Sequence, residues 1–215
     1  MIAVIDVHFV YLGAAIGAAG QAGYVVATVQ GRTQPNRVTW LLWALAPLLA
    51  FAVEVQQGVG LRSLATFVFG FGPLVVFVAS FANRAAVWRL RRLDYVCGAL
   101  SLAGTAWWLV TRQGVVAIAA AIAADALAAL PTLVKSWRRP DTEHPSVYLG
   151  SFANACITLL TVTTVSAPEL AFPLYIAVIA LVEVVLVAGR LGPRFRGAAA
   201  FPAVADGAVA DSAPT

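Results

Sequence analysis

The chain has 215 residues, of which 61% are hydrophobic and only 11% charged, and its mean hydropathy is +0.86. Soluble domains carry roughly 25% charged residues, so the composition excludes an ordinary water-soluble domain and predicts a membrane protein. The net charge of +4 resides in short basic loops between apolar runs, with no continuous basic stripe, which excludes nucleic acid as a partner.

Seven apolar segments follow in order, at about 8–29, 38–56, 61–82, 94–111, 114–135, 146–166 and 168–189. Each approaches the ~20 residues that a helix needs to cross a bilayer, and none shows the alternation of a barrel strand. An all-α integral membrane protein with seven transmembrane helices is therefore predicted. The first segment carries Asp6 and His8 where a signal peptide would have a basic region, so it is read as a span.

Twelve of the fourteen Lys and Arg residues fall on one side of this arrangement, in the groups Arg32 to Arg37, Arg84 to Arg92, Lys135 to Arg139 and Arg190 to Arg196. Arg62 and Arg112 are alone on the other. The asymmetry predicts an N-terminus outside, a C-terminus in the cytoplasm and a multi-pass place in the inner membrane. Alanine and arginine usage points by association to a GC-rich bacterial genome. Residues 197–215 are small, proline-containing and aperiodic, and are expected to form a disordered cytoplasmic tail.

Segments 1 to 3 share features with segments 5 to 7. Pro73-Leu74 matches Pro173-Leu174, the same offset sets Asn83 opposite Glu183, and Thr39 opens segment 2 as Ser146 opens segment 6. A single connector between two three-helix groups would make them parallel repeats, a 3+1+3 layout. The predicted units are 1–92, a connector at 93–113, a second unit at 114–196 and the tail at 197–215.

Six side chains inside the spans are candidates for binding or coupling. Asp125 lies about 17 Å along segment 5 at 1.5 Å per residue, near mid-membrane, where a carboxylate must face a cavity, find a partner or hold a proton. Asp125, and next Glu183, are the candidates for proton or ion coupling. Asn154 and Thr158 share a face of segment 6, and with Gln21 and Trp43 they are candidates for binding a small polar solute. Interhelical hydrogen bonding and aromatic-belt residence remain the alternative roles for these four. Pro47, Pro73, Pro131 and Pro173 interrupt four helices and are candidate hinges.

Pro131-Thr132, Trp137-Arg138-Arg139 and Ser146 together resemble the PQ-loop superfamily, which includes the SWEET and SemiSWEET sugar transporters and lysosomal amino-acid exporters. Thr132 stands where that family has glutamine, and Tyr24-Val25 where the first Pro-Gln pair would be. The resemblance implies a small secondary transporter that moves a sugar, amino acid or organic acid by alternating access. The rival class is a non-transporting seven-helix receptor, assembly partner or lipid-binding protein. No nucleophile and base pair, phosphate loop or metal motif is present in the sequence, so neither enzymatic activity nor a metal or other cofactor is expected. Membrane lipid is an expected partner, and homo-oligomerisation is left open.

Overall fold

The computed structural model describes residues 4–56, 63–84, 88–111, 114–162 and 167–198. The described residues form eight α-helices and one 3₁₀ turn. They are α1 Phe9–Val29, α2 Arg37–Gln56, α3 Ser63–Ala79, α4 Arg92–Thr111, α5 Gly114–Arg138, α6 Ser146–Thr161, α7 Ala167–Gly189 and α8 Leu191–Ala198, with the turn at Pro140–Thr142. Phe9–Val29, Ile118–Arg138 and Leu170–Gly189 are long and apolar enough to cross a membrane, and Arg37–Ala52, Phe67–Ala79 and Ser146–Thr161 are shorter apolar helices.

Polarity is inverted relative to a soluble domain. Large apolar side chains such as Leu12, Phe71, Val78, Leu100, Leu174 and Val178 face outward, whereas Thr28, Asn36, Thr39, Asp94, Lys135 and Glu183 are buried. An apolar surface of this extent is stable against hydrocarbon and unstable in water.

Local sequence sets the helix ends. Gly31, at φ 73°, reverses the chain after α1, with Gly31 N–H donating to the Thr28 carbonyl and Arg32 N–H to that of Ala27. This is the paired closure that a left-handed glycine permits. Asn36 caps α2 by accepting from the Val38 amide at 3.1 Å, and Asp94 reaches back to the Arg91 amide at the start of α4, half of a capping box.

The helix neighbours follow a regular order. α3 lies between α1 and α2, and α7 lies between α5 and α6; α1 packs along α6, α2 along α5, and α4 rests on α5 and α2. Exchanging α1, α2, α3 for α5, α6, α7 leaves the order of these six helices unchanged, with α4 outside the exchange. Two hydrogen bonds obey the same exchange: Thr39 Oγ1 of α2 donates to the Ala128 carbonyl of α5 at 2.8 Å, and Ser146 Oγ of α6 to the Gly20 carbonyl of α1 at 2.9 Å.

Some boundaries differ from those read in the sequence. α5 continues through Lys135 to Arg138, because the lysine has a buried partner that lets the helix persist past the apolar run. An eighth helix, α8, follows Arg190 (φ 50°) and takes in Gly197 and Ala198, the first two residues of the expected tail. It docks on α5 so closely that a Cβ at Gly192 would stand 1.6 Å from the Trp137 carbonyl oxygen; Phe195 stacks on Trp137 at 5.9 Å. Residues 199–215, Arg62 and Arg112 lie outside the described residues.

Candidate functional site

A cavity of about 470 Å³ lies among the helices and is lined by residues of α1 to α7. Its walls are largely aromatic and aliphatic, with Trp40, Trp43, Phe69, Tyr148 and Phe172 among them. Gln21, Asp125, Ser151, Thr158 and Glu183 add polar groups. Pro47, Pro73 and Pro173 also line it. A proline within a helix leaves the carbonyl four residues earlier without its amide partner. Pro47 does this to Trp43, and Pro73 to Phe69, so two of the lining residues carry freed backbone acceptors.

The two carboxyls described on the cavity wall are held differently. Asp125 Oδ2 accepts a 2.7 Å hydrogen bond from the Tyr175 hydroxyl of α7, and the Trp43 indole of α2 turns to the same carboxyl. Asp125 thus ties α5 to both neighbours. Glu183 is 1% exposed, and among the described residues neither of its carboxyl oxygens has a hydrogen-bond partner. Ser136, whose hydroxyl is likewise unsatisfied, faces it.

Other residues singled out in the sequence take varied places. Gln21 lies in the notch left by Gly72 of α3, where a Cβ would stand 1.0 Å from its Oε1. Thr158 spends its hydroxyl proton on the Asn154 carbonyl at 2.9 Å, which leaves its oxygen as an acceptor toward the cavity. Asn154 and Pro131 are buried but do not line the cavity. Asn154 packs on Gly13 and Gly17 of α1. Beside Pro131, Thr132 donates to Thr39 Oγ1 at 3.0 Å, joining α5 to α2.

Sequence reasoning missed the floor of the cavity at the basic end. Lys135 and Glu143 form an ion pair whose side chains are 0% exposed. Glu143 Oε2 also accepts from the Tyr24 hydroxyl at 2.7 Å and from the Tyr148 hydroxyl at 2.8 Å. Lys135 donates to the Gln34 carbonyl and stands 5.0 Å over the Trp88 ring. Tyr24 in turn packs on Trp40 at 4.8 Å, and Trp40 meets Trp43 edge-on at 5.3 Å. Trp40 and Tyr148 therefore belong to both floor and cavity. The one available signal was that Lys135 is the only lysine in the chain.

Outside the apolar helices, Arg139 donates to Asp141 at 3.1 Å. This exposed pair holds the Asp141 carboxyl below the usual carboxylate range.

Compared with known proteins, the chain matches no family model, no curated protein and no solved structure.

Proposed function

We propose that the chain is a small secondary transporter of the bacterial inner membrane, built as two parallel three-helix units, α1 to α3 and α5 to α7, joined by α4. Seven spans with the N-terminus outside place the floor of Lys135 and Glu143 on the cytoplasmic side. The neighbour order and the matched bonds of Thr39 and Ser146 support the two-unit reading. Together with Pro131, Trp137-Arg138-Arg139 and Ser146 they favour the resemblance to PQ-loop transporters as the family reading, from which Thr132 departs.

One observation carries the functional reading: the cavity lies where the two units meet and gathers Asp125, Glu183, Gln21 and Thr158 inside an otherwise apolar bundle. Buried carboxyls are costly within a bilayer, about 2.5–3.5 kcal/mol on insertion scales, and are retained along solute and ion paths. A small polar solute binds in the cavity, and the units rock about the prolines to expose it to each side in turn. Asp125, hydrogen-bonded to both flanking helices, couples the motion to a proton.

The test is uptake by proteoliposomes of a panel of sugars, amino acids, organic acids and amines, with and without a pH gradient. We expect one class to accumulate with the gradient, and Asp125→Asn to abolish the gradient dependence while the protein remains folded. Absence of uptake across the panel contradicts the transporter reading; unchanged pH dependence in Asp125→Asn removes the coupling role.

A further inference from the structure

We propose that the solute is an organic cation with an apolar or aromatic body, and that Glu183 is its counter-charge. The assignment rests on reading the cavity as a solute site.

Charge is the first ground. Among the described residues, those lining the cavity include two carboxyls, Asp125 and Glu183, and no lysine, arginine or histidine. The nearest cation is Lys135, which faces Glu183 from α5 but is already paired with Glu143. Lys135 and Glu143 cancel each other, so no described cation is left to compensate Glu183 when it ionises. A field of one sign inside low-dielectric walls attracts the opposite charge and rejects its own.

The second ground is an unmet bond. Asp125 accepts from the Tyr175 hydroxyl at 2.7 Å, whereas among the described residues Glu183, 1% exposed, has only the facing Ser136 hydroxyl, too poorly placed to satisfy either carboxyl oxygen. A buried polar group in this state costs free energy until something donates to it. An ammonium group offers several donors and the missing charge together.

The walls provide the third ground. Trp40, Trp43, Tyr148 and Phe172 line the same cavity, and aromatic faces attract cations through their negative π surfaces. They also accept an apolar body. A sugar, by contrast, needs many hydrogen bonds that these walls lack, and an organic acid would meet two carboxyls.

Three probes of one size and three charges decide the matter: phenethylammonium, 2-phenylethanol and phenylacetate, titrated by calorimetry into the detergent-purified full chain. The cation is expected to bind saturably, at least about tenfold more tightly than the alcohol, with phenylacetate not binding. Glu183→Gln should weaken the cation by about tenfold or more and leave the alcohol unchanged. Equal binding of the alcohol or the acid, or no saturable binding of the cation at millimolar concentration, overturns the assignment. If Glu183→Gln does not fold, the charge series on the unaltered protein decides alone.

Proteoliposomes separate this assignment from the transport reading. Saturable cation binding without uptake leaves the assignment standing and removes transport. Uptake of a neutral or anionic solute, with the cation ignored, does the reverse.

Discussion

Lys135 and Glu143 are two full charges removed from solvent, and what makes them tolerable is the number of partners each has. Glu143 receives two tyrosine hydroxyls, and Lys135 adds the Gln34 carbonyl and the Trp88 face. Removing one charge strands the other, at a cost of about 3–5 kcal/mol. Lys135→Met is therefore expected to lower stability by that amount in denaturant unfolding of the detergent-solubilised protein. Lys135→Met with Glu143→Gln should recover part of it, because glutamine still accepts from both tyrosines; no recovery would mean that the lysine acts through packing alone. At this scale Asp125, Glu183, Gln21, Trp43 and Thr158 stand out in the sequence as polar or aromatic groups inside apolar runs, and all five line the cavity. The pair was not legible there, since a cation at the end of a span reads as ordinary topology and Glu143 sits in a polar connection. Asn154 shows the converse: its depth drew attention, but the glycines of α1 opposite it decide what it touches.

Among elements, α1 and α6 meet closely through glycines on both sides. A Cβ on Gly20 would stand 2.5 Å from the Ser146 carbonyl oxygen, and one on Gly150 would stand 3.0 Å from the Ile16 carbonyl oxygen. Both obstacles are backbone, which cannot rotate aside. Such small-residue crossings let helices pack without a hydrophobic driving force in lipid. Gly20→Val is expected to push α1 off α6, costing about 1–3 kcal/mol of stability and breaking the Ser146 hydrogen bond; unchanged melting in detergent would argue that the crossing is slack. The helices themselves were readable from apolar run length, usually to within a few residues, because a bilayer imposes that length. α8 was not: eight residues with two arginines and a proline carry no periodic signal, and what holds the helix in place is contact with Trp137.

For the whole molecule, the proposed architecture is two three-helix units whose junction holds the cavity. Repetition was visible in the sequence only as scattered matches, such as Pro73 with Pro173 and Thr39 with Ser146, since each unit diverges wherever its lining residues differ. The neighbour order of the helices is a further observation in favour of the proposed repeat. A receptor or assembly protein with this cavity would open it to one side; a transporter must open it to both. The most direct measurement therefore places one cysteine in the lining, Ser151→Cys, in a background with Cys97→Ser and Cys156→Ser. A membrane-impermeant maleimide is then applied to right-side-out and to inside-out vesicles. Labelling from both faces, each blocked by prior treatment from the other, is the predicted result. Labelling from one face only, under every solute and gradient condition, would contradict alternating access.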